Sequence, residues 1–181
     1  MVISVRKKTD IPLIFMTYLN PVFHYGYDKF FARCQEAGID GIIIPDVPFE
    51  EKAEVTEAAK KYGVIVISMI APTSEERIKD IAKDAEGFIY VVSSMGVTGV
   101  RNEIKTDLSG ILSAIKETTD VPAAVGFGIN TTEQAAEIAG MSDGIIVGSA
   151  IVKMIAQYGR HAEQHILSLI HISEPTRQEA I

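Results

Sequence analysis

Two glycine-bearing turns, Gly126-Phe127-Gly128 and Gly148-Ser149, stand 22 positions apart in a chain of 181 residues. Each ends a short apolar run, Val121 to Val125 or Gly144 to Val147, and each opens a helical pattern. The chemistry open to such corners is anion binding. The first N–H groups of a helix have no partner inside it, and the helix dipole favours negative charge there. Glycine at the corner lets the anion reach the backbone, where a side chain would hold it away.

The elements that must position these turns alternate with a steady βα period. Apolar runs predict strands over Pro12 to Thr17, Ile39 to Ile44, Val64 to Ile70, Gly87 to Val92, Val121 to Val125 and Gly144 to Val147. Helical patterns fall between them: Tyr27 to Ala37 closed by Gly38, Glu50 to Tyr62 stopped by Gly63, a helix ending at Lys83, Leu108 to Glu117, one ending at Ala139, and one from Ser149. Thr73 with Glu76, and Asn130 with Glu133, have capping-box spacing. The strands are continuous rather than alternating, which predicts a parallel sheet covered on both faces. Tyr18, Asn20, Asp46, Pro72, Tyr90, Thr98 and the glycine turns all fall at strand C-termini, the active face of a (β/α)8 barrel, and paired phosphate turns after the last two strands belong to that fold. Only six strands are present, so the expectation is an incomplete TIM barrel, strands three to eight, with a flavodoxin-like open sheet as the alternative.

Composition bounds the rest. With 47% hydrophobic residues the chain can bury a core, and one domain is expected. Lysine and arginine total 17 against 24 acids, a net charge of -7, which recruits neither nucleic acid nor an anionic membrane. No run has the length of a membrane span, and Met1 to Asp10 lacks a secretory signal's apolar stretch, so the cytoplasm is the expected location. The single cysteine, Cys34, excludes an internal disulfide framework and reads as a small core residue. His24, placed in the loop after Phe23, and His161 and His165, near the end, have no partner at metal-ligand spacing, so no metal site is expected.

The segment Leu167-Ser168-Leu169-Ile170-His171-Ile172-Ser173-Glu174-Pro175-Thr176-Arg177 breaks the pattern and resembles a translated sequencing adapter. The domain is accordingly drawn over 1–166, with 167–181 set apart as a non-native tail.

Four segments in order carry a family resemblance: Phe15-Met16-Thr17-Tyr18-Leu19-Asn20-Pro21-Val22-Phe23, Pro45-Asp46-Val47-Pro48, Gly96-Val97-Thr98-Gly99, and Gly126-Phe127-Gly128-Ile129 with Gly148-Ser149-Ala150-Ile151-Val152. Their order and spacing between Val5 and about Gly159 resemble the tryptophan synthase alpha subunit. The resemblance implies a lyase of tryptophan biosynthesis that cleaves indole-3-glycerol phosphate to indole and glyceraldehyde 3-phosphate. It implies substrate binding by Tyr18, Tyr90, Thr98, Gly99, Gly126, Phe127, Gly128, Gly148 and Ser149, with Thr98 and Gly99 in a closing loop and Phe127 a wall for the indole ring. Ser94 stands where many members carry arginine, so the ion pair made there is not implied here.

Asn20, Asp46 and Pro48 are implied to contact a beta subunit in a heterotetramer. No cofactor is implied for this chain, pyridoxal phosphate belonging to the partner. The family's two catalytic carboxylates, a glutamate and an aspartate, are implied to lie upstream of Met1. Positioned acid/base groups are each worth ~10²–10⁴ in rate, so the expectation is that these 181 residues alone are close to inert. Asp46 does not replace them: it reads as a partner contact, or alternatively as a loop-fixing hydrogen bond. Two sheet edges left unpaired predict marginal folding or aggregation. The other functional readings are a noncatalytic partner of the beta subunit and another phosphate-binding TIM-barrel enzyme.

Overall fold

The computed structural model describes residues 1–93, 108–126 and 138–173. All the strands within them are parallel. In chain order they are β1 (Ile14–Met16), β2 (Gly41–Ile43), β3 (Ile65–Val66), β4 (Ser68–Ile70), β5 (Ile89–Val92), β6 (Ala123–Gly126) and β7 (Gly144–Ile146). The helices are α1 (Val2–Arg6), α2 (Leu19–Tyr25), α3 (Tyr27–Ala37), α4 (Ala53–Lys61), α5 (Glu75–Lys83), α6 (Leu108–Lys116), α7 (Ser149–Tyr158) and α8 (Ala162–Ser173). This is an α/β fold in which strand order follows chain order.

All six expected strand segments form, the third in two pieces. β1, β2 and β3 make one hydrogen-bonded sheet, and β4 to β7 another. The division falls at Ile67. Residues before it bond back to β2, as Ile67 N itself does to Ile42 O at 2.9 Å, and residues after it bond forward to β5. A single apolar run thus meets one neighbour with its first half and the other with its second.

Among the described residues the helices pack on one face of the strands. Phe15, Ile42, Ile70, Ile89, Val91 and Val125 point into the helix layer and pack with Phe31, Val55, Ile81 and Ile115. Alternate positions on the opposite face, Ile14, Ile65, Met69, Tyr90, Ala124 and Ile146, are only half-buried. The sequence predicted both faces covered. Among the described residues the face away from the helices is mixed, with Gly41, Ile43 and Ile67 buried on it and the six side chains just named half-buried.

Three local expectations need correction. Residues 19–25 form helix α2, so His24 is helical rather than in a loop, and its Nδ1 lies 3.0 Å from Asn20 O. Pro21 is tolerated because it sits in the first turn, where its missing N–H has no bond to make. The Glu50 to Tyr62 helix begins with a 3-10 turn at Phe49–Glu51 before α4. The cap of α5 is Ser74, not Thr73: Ser74 Oγ accepts from Arg77 N at 3.4 Å. The Asn130 and Glu133 box lies outside the described residues. Gly38 (φ 76) and Gly63 (φ 69) close α3 and α4 as expected, in the left-handed conformation that glycine adopts without a Cβ clash. Helix α8 crosses Leu167, where the sequence placed its boundary.

Candidate phosphate-binding corner

β6 and β7 are neighbours, with Gly126 in register with Ile146. Gly126 and the approach to Gly148 therefore stand at the same end of the sheet on adjacent strands, which pack about 4.8 Å apart. Gly148 is the N-cap residue of α7, with φ -110 and ψ -64, and has no side chain to bond the first turn. The leading amides of that ten-residue helix must find partners outside it. A Cβ placed on Gly148 meets nothing within 4 Å. Among the described residues nothing fills the space in front of the corner, and Gly148 and Ser149 are both exposed.

Gly126 is different. A Cβ there would fall 2.2 Å from Tyr90 Oη and 2.3 Å from Cε1 and Cζ of the same ring. Its missing side chain is required first by Tyr90, which reaches across from β5, rather than by an anion. Tyr90 is half-buried, and that burial pushes its phenol pKa up, so the ring presents a neutral hydroxyl at this corner. Gly126 O accepts from Ser93 N at 3.3 Å, tying the exit of β5 to that of β6. Thr98, Gly99, Phe127 and Gly128 lie outside the described residues.

The remaining predicted residues gather around β1 and β2. Tyr18 is the N-cap residue of α2 and 66% exposed, and Asn20 is exposed in its first turn. Asp46 Oδ1 accepts from Leu19 N at 2.9 Å, so its carboxylate caps α2 from the next loop. This is the loop-fixing bond. Pro48 is exposed and leads into the 3-10 turn. Among the described residues, no cluster of three or more His, Cys, Asp or Glu is placed to hold a metal.

At the opposite end of the sheet, Asp40 and Asp143 precede β2 and β7. Asp40 Oδ2 accepts from Leu13 N at 2.7 Å while Asp40 N donates to Leu13 O at 2.9 Å. Asp143 repeats the arrangement on Ala123, at 2.9 and 3.0 Å. Each begins the same tetrapeptide, Asp-Gly-Ile-Ile, at 40–43 and 143–146. That repeat was the available signal for a pairing that βα periodicity did not reveal.

A family model described as the tryptophan synthase alpha chain matches residues 1–180. The chain belongs to the tryptophan synthase alpha chain family. It is 51% identical over 159 residues to the tryptophan synthase alpha chain of Lacticaseibacillus casei, covering 88% of this chain and 60% of that relative. To the alpha chain of Thermoanaerobacter pseudethanolicus it is 46% identical over 171 residues, covering 93% and 65%. It therefore spans less than two thirds of the length of these curated relatives. A chain in the solved tryptophan synthase α2β2 complex of Pyrococcus furiosus superposes with a TM-score of 0.82 at 34% identity, covering 95% of this chain and 70% of that one. The alpha subunit of Campylobacter jejuni gives 0.77 at 34% identity, covering 87% and 64%.

Proposed function

We propose that the chain carries the phosphate-binding side of an indole-3-glycerol phosphate lyase of tryptophan biosynthesis, on strands three to eight of a (β/α)8 barrel. One observation supports it: adjacent parallel strands β6 and β7 bring Gly126 and the helix N-terminus at Gly148 to the same end of the sheet. Family membership supplies the substrate. Gly126, Gly128, Gly148 and Ser149 would hold the phosphate, with Thr98 and Gly99 closing over it, and Tyr18, Tyr90 and Phe127 lining the space for the indole.

Cleaving the carbon–carbon bond needs one proton delivered to the indole carbon and another removed from the adjacent glycerol hydroxyl. Asp46 is committed to Leu19 N and is an unsuitable donor. The 181 residues are therefore expected to bind the phosphate ester without turning it over. Calorimetry should detect binding of indole-3-glycerol phosphate, lost in Gly148→Asp, which places a carboxylate where the anion sits. Turnover comparable to that of a full-length relative would overturn the division of labour; binding untouched by Gly148→Asp would overturn the site.

The partner is proposed to be a tryptophan synthase beta subunit, met through Asn20, Asp46 and Pro48, with pyridoxal phosphate held by the beta subunit and none by this chain. The location is proposed to be the cytoplasm. A noncatalytic role as that partner is the second reading, favoured by the way the Asp46–Leu19 bond locks two exposed loops into one surface. Asp46→Asn keeps an oxygen to cap α2 and removes the charge, whereas Asp46→Ala removes both. Sedimentation with a beta subunit should show weaker association for both variants if the charge is the contact, and for Asp46→Ala alone if the cap is what matters.

A further inference from the structure

The described residues pack around two apolar cores, not one. Val22, Phe31, Ile42 and Val55 belong to the first, and Ile70, Ile81, Ile89 and Val125 to the second. The seam between them follows the break at Ile67. In the helix layer α3 packs on α4 and α5 on α6, with no comparable contact between α4 and α5. A cavity of about 60 Å³ lies in that gap, walled mainly by apolar side chains, among them Ile44, Phe49, Val55 and Ile81. Glu50 and Arg77 hold its two sides together through a two-pronged ion pair of 2.5 and 3.1 Å, joining the turn that carries Phe49 to α5.

Only two of the lining residues bring nitrogen or oxygen in their side chains, Lys52 and Ser68. Ser68 is 6% exposed, and its hydroxyl has no hydrogen-bond partner among the described residues. In its strand it alternates with Met69 and shares the face of Ile70, which points into the helix layer. A buried hydroxyl without a partner costs free energy, so a polar atom arriving beside Ser68 would relieve that cost. Lys52 Nζ stands 4.4 Å from the centroid of the Phe49 ring. Burial lowers its pKa, with Asp84 and Glu86 pulling the other way, which favours a share of free amine. Cavities of roughly 150 Å³ admit a benzene ring. This one takes a group of two or three heavy atoms.

We propose that Lys52 is an acylation site for small acyl phosphates, the acquired acetyl group seating in the seam cavity with its carbonyl oxygen accepting a hydrogen bond from Ser68. The amine nitrogen attacks the acyl carbon and an N–C bond forms. The C–O bond to phosphate breaks, its electron pair leaves with the phosphate, and the amine proton passes to water. No oxidation or reduction occurs. The product amide is uncharged, which suits apolar walls better than the ammonium did.

The 181-residue chain is treated with acetyl phosphate and the occupancy of each lysine is followed by mass spectrometry. Lys52 should be acetylated about tenfold faster than the exposed Lys29 and Lys60, as expected of a desolvated amine next to a seat for the acyl group. Benzoyl phosphate, whose ring exceeds the cavity, should show no such preference. Ser68→Ala should slow Lys52 severalfold and leave Lys29 unchanged. Acetylation of Lys52 no faster than of the exposed lysines, or an equal preference with benzoyl phosphate, would overturn the proposal and leave a cavity that holds water only. If Ser68→Ala does not fold, the comparison of the two acyl donors on the unaltered chain decides.

Discussion

The ring of Tyr90 occupies the space that a side chain on Gly126 would need. The two residues come from adjacent strands, and each constrains the other: Tyr90 can lie flat over the sheet only because position 126 is bare. A methyl group at 126 would drive the ring outward, and because the colliding atoms are at the far end of a side chain on a half-buried face, the ring has somewhere to go. Gly126→Ala is therefore expected to cost about 1 kcal/mol, a mild case of overpacking. In a Tyr90→Ala background the penalty should vanish, a coupling of ~1 kcal/mol in a double-mutant cycle read by chemical denaturation. Additive effects would mean that the glycine serves something other than the tyrosine.

Asp143 performs for Ala123 what Asp40 performs for Leu13, and the two sites should answer alike to substitution. Asp143→Ala removes the acceptor of a part-buried amide and should destabilise by about 1 kcal/mol or more, while Asp143→Asn retains an oxygen and should cost much less. Asp40 also pairs with Arg6 at 2.5 Å. Asp40→Asn should therefore lose that charge contact, worth little at a partly exposed site, while keeping the Leu13 bond. Hydrogen exchange at the Leu13 and Ala123 amides checks both. Unchanged protection in the alanine variants would show that the strand ladders alone hold these ends.

The strands were legible because each is a short apolar run bounded by polar or glycine residues, and the repeated Asp-Gly-Ile-Ile shows how little else is needed to start one. The ends of β1, β2 and β7 were legible too, which places Tyr18, Asp46 and Gly148 just beyond strand C-termini, whereas Tyr90 is the second residue of β5. What escaped depends on contacts distant in sequence. Nothing around Ile67 indicates that its neighbours will bond to different strands. The reason for Gly126 lies 36 residues earlier, at Tyr90. Pro21 reads as a breaker until its place in the first turn of α2 is known. Ser74 and Thr73 offer the same hydroxyl one position apart, and only the backbone angle of the entry decides between them.

The Glu50–Arg77 pair makes a statement about pH. The hydrogen bond from Arg77, then that of the Glu50 backbone, holds the Glu50 carboxyl below the ordinary carboxylate range. Folded Glu50 thus releases its proton more readily than the unfolded chain does. Its contribution is present above the unfolded-state value and disappears as pH falls through the lowered folded value. Following the Glu50 side chain by NMR should show a depressed titration midpoint that returns toward normal in Arg77→Gln. A midpoint the same in both proteins would mean that the pair does not persist in solution, as is common for exposed ion pairs.

The exposed large apolar side chains among the described residues fall in two stretches only, from Met1 to Tyr25 and from Val152 to Leu167. The first includes Ile11 and Met16, beside and within β1, and β1 and β7 are the outer strands on the sides away from the break at Ile67. An outer strand with bare backbone and apolar neighbours is a template for another chain. The 181-residue chain is therefore expected to self-associate, and Ile11→Lys with Met16→Lys should shift it toward monomer, because a lysine beside an edge must be dehydrated before a second strand can pair there. Sedimentation velocity across a concentration series measures the shift. A unaltered chain that sediments as one monomeric species and melts in one sharp transition would show that these edges are protected despite their composition.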